Sequence, residues 1–420
     1  MTMTNNKDKK VLNVPNLRFP EFTGEWKKER LDEIAELSKG IGISKEQLSS
    51  NGNPCILYGE LYTKYKSEII SEVISKTNIE KNKLKHSKQN DVIIPCSGET
   101  AVDIAVARCV PFDNVLLGGD LNIIRLHKYD GAFMAYQLNS KRKIEIAKLA
   151  QGVSVVHLYG ENLKSINTYN PSLQEQQKIV RLLSLLDERI ATQNKIIEDL
   201  KKLKSAICEK LFSSPKDKQP QIRLYGFFGD WHFVRLSDIC HRICRKNTGE
   251  QCKQVLTIAA QYGLVSQEEF FNKNVASENL SGYYLLQKGD FAYNKSYSGD
   301  YVWGTVKRLD NYEQGVLSPL YICFRPDPAR VDSDFLIYYF ESKKWHKTVA
   351  NIAGEGARNH GLLNISVVDY FNTIHCIPSM DEQKQIAQII GTLLSKIARE
   401  QRMLNCYAAQ RQYLLRQMFI

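Results

Sequence analysis

The segment Pro171-Ser-Leu-Gln-Glu-Gln-Gln-Lys-Ile-Val, running on to Leu211-Phe212, returns later as Pro378-Ser-Met-Asp-Glu-Gln-Lys-Gln-Ile-Ala, running on to Met418-Phe419. The offset is 207 residues (378 less 171) and holds without a gap through Ile179/Ile386, Leu183/Ile390, Leu186/Leu393, Ile190/Ile397 and Leu211/Met418. A chain with this feature must fold around two copies of the same element.

Both copies read as long amphipathic helices. Ile179, Leu183, Leu186, Ile190, Ile197, Leu200, Ile207 and Leu211 advance by steps of four and three, which places apolar side chains along one seam. Pro171 and Pro378 stand just before the helices, Ser172 and Ser379 are the expected N-caps, and Glu175 and Glu382 complete Ser-x-x-Glu capping boxes. At about 1.5 Å per residue each helix reaches roughly 60 Å, far more than one small core needs. The seam is interrupted at matching places, Gln193 with Glu400 and Lys204 with Arg411. Polar seam residues cost stability but fix register. Antiparallel pairing about the midpoints would bring Gln193 and Glu400 together, on a seam that also holds Ile390, Leu393, Ile397 and Leu404.

The duplication extends beyond the helices. Leu17-Arg-Phe-Pro-Glu-Phe-Thr-Gly-Glu-Trp26 opens the first half and Ile222-Arg-Leu-Tyr-Gly-Phe-Phe-Gly-Asp-Trp231 the second, now with an offset of 205 (223 less 18). Between opening and helix the order of elements is kept while the residues diverge. Asn90-Asp-Val-Ile-Ile-Pro95 parallels Gly289-Asp-Phe-Ala-Tyr293 as a turn feeding a strand, and Leu121–Arg125 parallels Leu320–Arg325 as another strand. Phe133–Leu138 parallels Phe335–Phe340 as an apolar helix. The expected fold is mixed α/β: two globular domains joined by two long helices that form an antiparallel coiled coil, with an internal pseudo-twofold repeat. The expected divisions are 1–170, 171–215, 216–377 and 378–420.

A common support with divergent loops implies two different recognition surfaces. In the first half the polar, glycine-punctuated loops hold Tyr58, Lys64, Ser97, Thr100, Ser154 and His157; in the second, Lys295, Ser296, Tyr297, Arg358, Asn359 and His360. Lys and Arg can meet phosphates, and Arg and Asn can make paired bonds to base edges. A formal charge of +11 favours a polyanionic partner. The run Lys76, Lys81, Lys83, Lys85, His86 and Lys88 could track a phosphate backbone.

Signals for catalysis or metal binding are weak. The chain has no Gly-x-x-x-x-Gly-Lys-Ser/Thr segment and no Gly-x-Gly-x-x-Gly after a strand. Asn170-Pro171-Ser172-Leu173 lacks the second proline and aromatic of adenine-methyltransferase signatures. Pro326-Asp327 followed by Glu341-Ser-Lys343 has the spacing of a metal-dependent nuclease motif, but Glu341 falls at the end of an expected helix. Cys240, His241, Cys244 and Cys252 form the tightest cysteine group, without equivalents in the first half. No catalytic residue, cofactor or metal is therefore expected in this chain. The ten cysteines without a paired framework, the polar Met1–Lys10 and the absence of a membrane-length apolar run place the protein in the cytoplasm.

A duplicated unit of this kind, opening with Phe-x-Gly-x-Trp at Phe22–Trp26 and Phe227–Trp231, with Glu175-Gln176 and Glu382-Gln383 at the helix starts, resembles the specificity subunit of type I restriction–modification systems. The resemblance implies that each globular half is a target recognition domain reading one part of an interrupted, asymmetric DNA site. The helices would set the gap and dock two modification subunits. Those partners would use S-adenosylmethionine to methylate adenine at N6, and restriction subunits would add ATP- and Mg²⁺-dependent translocation and cleavage. The alternative is a non-catalytic protein-interaction scaffold that reads no bases.

Overall fold

The structure, a computed structural model, describes residues 12–259, 262–273, 279–296, 301–353 and 361–420. The chain forms two compact units, Met1–Lys195 with Arg402–Ile420, and Ile196–Gln401.

The first unit is organised on four strands, β1 (Ala35–Lys39), β2 (Asp91–Pro95), β3 (Arg108–Val110) and β4 (Leu121–Leu126), in the antiparallel order β1-β4-β2-β3. The second has β5 (Cys240–Arg242), β6 (Phe291–Asn294), β7 (Thr305–Arg308) and β8 (Ile322–Pro326), in the order β5-β8-β6-β7. The two sheets share one topology. Asn90 and Gly289, both with positive φ, turn the chain into the central strands β2 and β6, whose unbroken apolar runs are buried. A buried aspartate follows each turn and pairs with an arginine on the adjacent strand: Asp91 with Arg125 at 2.7 Å, Asp290 with Arg325 at 2.5 Å. Each unit is closed by a two-stranded ribbon, Lys27–Arg30 with Asn167–Asn170 in the first and His232–Arg235 with Ile374–Ile377 in the second.

Four helices complete the repeat: α1 (Gly131–Asn139), α2 (Leu173–Leu211), α3 (Ser333–Glu341) and α4 (Met380–Gln417). Asp130 and Asp332 cap α1 and α3, each accepting a bond of 2.8 Å from the third helical amide, at Phe133 and Phe335. The start of α2 packs in the first unit, where Ile179, Leu183 and Leu186 share a core with Trp26, Phe133, Leu414 near the end of α4, and Met418 and Phe419 just beyond it. Its end packs in the second, where Cys208, Leu211 and Phe212 share a core with Trp231, Phe335 and the start of α4 at Ile386 and Ile390. The repeated terminal phenylalanines thus do equivalent work. Phe419 lies 5.3 Å from Phe133, and Phe212 lies 5.5 Å from Phe335.

The seam advances in the expected heptad steps. Leu183, Leu186, Gln193, Ile197 and Ile390 are buried, while Ile190, Leu393, Ile397, Glu400 and Leu404 are half-buried. Of the polar interruptions, Lys204 donates to Glu341 at 2.6 Å, and Arg411 pairs with Asp187 and Glu68.

The Glu-Gln pair at each helix start does something other than close a capping box. Ser172 Oγ does accept from the Glu175 amide, at 3.3 Å, but the Glu175 carboxylate turns inward. It accepts two bonds of 2.7 Å from the Arg18 guanidinium and one of 3.2 Å from the Trp26 indole, with only 1 % of its side chain exposed. Glu382 repeats this with Arg223 and Trp231. Capping loses because an inward carboxylate gains charge-assisted bonds from a guanidinium and satisfies the buried indole N–H. The neighbouring glutamines tie the helix start to its unit: Gln176 Nε2 donates to Pro171 O, and its Oε1 accepts from the Asp130 amide, both at 2.9 Å. Gln383 makes the same pair of bonds with Pro378 and Asp332.

The units differ in what is added to this frame. The first carries a five-stranded sheet, in the order Leu48–Ser49, Ser75–Thr77, Asn53–Ile56, Leu116–Leu117, Lys85–His86. The second carries the hairpin Leu256–Ala259/Gly263–Ser266 and the pair Tyr284–Gln287/Gln314–Leu317.

Two predictions follow from these contacts. Glu175→Ala, which leaves the buried Trp26 indole N–H and the half-buried Arg18 guanidinium without their carboxylate, lowers stability by about 2 kcal/mol in urea unfolding, whereas Leu173→Ala on the exposed side of the same turn changes it by less than about 0.5 kcal/mol. The second concerns His375, fully buried between Tyr339 Oη (3.1 Å) and Thr373 Oγ1 (2.8 Å), whose imidazole burial pushes down to about 3. The unfolded chain, with an ordinary histidine near 6.5, then binds one more proton than the folded chain between roughly pH 6.5 and 3. This stabilising contribution is complete above that window and is lost as pH falls through it, at about 1.4 kcal/mol per pH unit. A His375→Gln variant shows a shallower decline in an acid stability series.

Candidate nucleic-acid interface

The sheets place the divergent loops at equivalent positions in the two units. In the first, the chain leaving β2 runs into Ser97–Gly98, which pairs antiparallel with Val156–His157 in the register Ser97↔His157 and Gly98↔Val156. Leu158 N donates to Cys96 O at 2.7 Å, and Asn122 on β4 donates from its side chain to Leu158 O at 2.9 Å, so both loops are anchored to the central sheet. In the second unit the chain leaving β6 runs into Lys295–Ser296. Ser296 bridges Leu362, and Lys295 O accepts from Leu363 N at 2.9 Å. Two loops far apart in sequence are thus brought together in each unit by the same strand extension.

In the first unit Gly152, at φ +117°, makes the tight bend that a side chain would block, since its Cβ would lie 2.2 Å from Val155 O. That bend leaves Val153 97 % exposed and Ser154 exposed beside it. His157 is also exposed and stacks near Tyr159, with ring centroids 6.2 Å apart. Thr100 is exposed and caps a short helix, Ala101–Ile104. Tyr62 lies over the same loop, its Oη 3.4 Å from the position a Gly98 Cβ would take. Burial pushes the Tyr62 phenol up, with Tyr58, Glu99 and Asp103 acting in the same direction. Tyr62, with Tyr58 close by, therefore lies against the Ser97–Thr100 loop.

Two of the expected contact residues are held differently. Ser97 is buried, its hydroxyl donating to Asp120 at 3.2 Å. Lys64 is tied to the buried Glu60 at 2.7 Å, in an ion pair that props up the loop. Tyr297, Arg358, Asn359 and His360 lie outside the described residues. Of the basic run, Lys76 lies on Ser75–Thr77 and Lys85 and His86 on an edge strand of the five-stranded sheet, while Lys83 pairs with Glu80. Tyr62 and Tyr159 were not singled out by sequence; the signal available was their place inside or next to the glycine-punctuated loops.

The weak catalytic signals do not assemble. Glu341 ends α3 and faces Lys204 and Lys307, while Asp327 faces His241 and Arg330. Cys240 and Cys252 are buried in separate apolar clusters and Cys244 is exposed. Among the described residues no group of His, Cys, Asp and Glu could hold a metal ion, and no helix is long and apolar enough to cross a membrane.

Residues 23–202 match the model of the type I restriction modification DNA specificity domain. Across 92 % of its length the chain is 22 % identical to 89 % of the type I restriction enzyme MjaVIII specificity subunit of Methanocaldococcus jannaschii. Over 42 % of its length it is 28 % identical to 46 % of a putative type I restriction enzyme specificity subunit of Haemophilus influenzae. The fold is similar to the crystal structure of the type I restriction–modification S subunit from M. genitalium, with TM-score 0.59 and 18 % identity over 97 % of this chain and 99 % of that one. A chain from a structure of type I restriction–modification complex assembly is similar at TM-score 0.52 and 14 % identity, over 94 % of this chain and 97 % of that one.

Proposed function

We propose, from the premise that this chain belongs to the specificity subunits of type I restriction–modification systems and recognises DNA sequence, that each of its two units reads one part of a split site. The observation that carries this is the repeated strand extension, Ser97↔His157 in one unit and Ser296↔Leu362 in the other. A rigid sheet presents two loops side by side in each unit, and apart from the serine shared at Ser97 and Ser296 the residues on those loops differ between the units. Base edges are told apart by the donors and acceptors set against them, so unlike loops on like frames read unlike letters.

In the first unit the reading set is the exposed Thr100, Ser154 and His157 with the half-buried Tyr58, and Tyr62 and Tyr159 complete it. Ser97 and Lys64 shape the loops, and in the second unit Lys295 and Ser296 begin the corresponding surface. The long helices separate the readers and so fix the unspecified gap. Their outward faces dock two modification subunits, which bind S-adenosylmethionine and methylate adenine at N6. Restriction subunits bring ATP and Mg²⁺. This chain supplies recognition and geometry, and the partners supply the chemistry.

The test is a map of N6-methyladenine across the genome of the source cells, with and without this chain. A two-part asymmetric motif that disappears on deletion is the expected result. If no motif depends on the chain while the modification partner is present and active, the protein is an assembly scaffold instead.

A further inference from the structure

The internal repeat permits a charge comparison between corresponding positions of the two units. In the first unit Arg411 on the α4 seam is paired with two carboxylates, Glu68 and Asp187. Beside them Arg108 on β3 donates to Leu61 O at 3.2 Å and Tyr65 O at 2.9 Å. Two cations are matched by two carboxylates. In the second unit Lys204 occupies the place of Arg411, by the same offset of 207 (411 less 204). Lys307 faces Ala292 on β6 as Arg108 faces Ile93 on β2, and so occupies the place of Arg108.

The carboxylates do not follow. The counterpart of Asp187 is Leu394, and one group, Glu341, serves both lysines, at 2.6 Å from Lys204 Nζ and 3.9 Å from Lys307 Nζ. Lys343 adds a further cation to the same space. The surplus positive charge opens onto a cavity of about 460 Å³, lined by Lys204, Tyr301, Thr305, Lys307, Lys343 and His346. Lys307 is mostly buried, with 15 % of its side chain exposed. Burial holds its ammonium below the usual range, with Lys204 pushing the same way and Glu341 opposing. His346 is likewise lowered by burial and by Lys343. A partly desolvated ammonium sharing one carboxylate is an unfavourable arrangement that an entering anion relieves.

We propose that this cavity of the second unit binds a phosphate group, through the Lys204, Lys307 and Lys343 ammonium groups with the Thr305 and Tyr301 hydroxyls as further donors. A phosphate suits it because its several acceptor oxygens can use convergent donors of both kinds. At the corresponding place in the first unit, Arg411 is matched by Glu68 and Asp187, so this surplus of positive charge is not repeated among the described residues. The connection that begins at Lys295 and Ser296 returns through Tyr301 and Gly304, so the phosphate comes either from the backbone of bound DNA or from a free phosphate ester. Only the first source rests on the DNA-reading proposal.

The experiment titrates the full chain and its Lys307→Met variant with inorganic phosphate by calorimetry, and separately with duplex DNA over a salt series. Binding of phosphate at one site, weakened at least tenfold in the variant with no change in the DNA salt dependence, identifies a free ester as the ligand. A fall of about one in the slope of log K against log salt identifies a DNA phosphate. If Lys307→Met alters neither while wild type binds DNA, the pocket proposal is overturned and the DNA-reading proposal stands; if wild type binds no DNA, that proposal fails whatever phosphate does. Lys343→Met, at an exposed position, supplies the same comparison should Lys307→Met fail to fold.

Discussion

A buried carboxylate at the start of each long helix is the contact on which the frame depends. Glu175 gathers Arg18 and Trp26, and Glu382 gathers Arg223 and Trp231, so the opening of each half is bound to the helix that follows it. A charge so fully buried is tolerated only with its partners in place, which makes the geometry of each helix start all-or-none. The adjacent glutamine then joins that start to the cap of the shorter helix, at Asp130 or Asp332. The direction in which each long helix leaves its unit is thereby set by side chains that are the same in both copies.

With the helix starts secured in this way, the loops are free to differ. The four-stranded sheets share one strand order, and the loops leaving β2 and β6 are received by the same kind of strand extension. The additions to the shared frame diverge, from the five-stranded sheet of the first unit to the hairpin of the second. Divergence also reaches the polar seam. Arg411 is neutralised twice and Lys204 shares its carboxylate, so the units differ in local charge even where their backbones agree.

Much of this frame was legible in the sequence because it is written twice. The heptad spacing from Ile179 to Leu211, the turns at Asn90 and Gly289 and the apolar helices at Phe133 and Phe335 are local patterns, and duplication separates them from chance. The role of Glu175 was not legible. Its spacing from Ser172 satisfies a local capping rule, while its true partners lie at positions 18 and 26, and no periodicity links residues so far apart. The strands Leu48–Ser49 and Leu116–Leu117 were missed for a different reason: two residues carry no alternation to detect. The candidate loops were found as regions through their glycines, but whether a serine points outward, like Ser154, or is buried against Asp120, like Ser97, is decided by tertiary contacts.

The central claim is that frame and reading surface are separable. The most direct measurement is the methylation motif produced in cells by a chain lacking one heptad from each long helix, a deletion that preserves the seam. Removing seven residues shortens each helix by about 10 Å, about three base pairs of duplex. The account predicts the same two half-sites with a shorter gap; altered half-site letters, or an unchanged gap in an active complex, would contradict it.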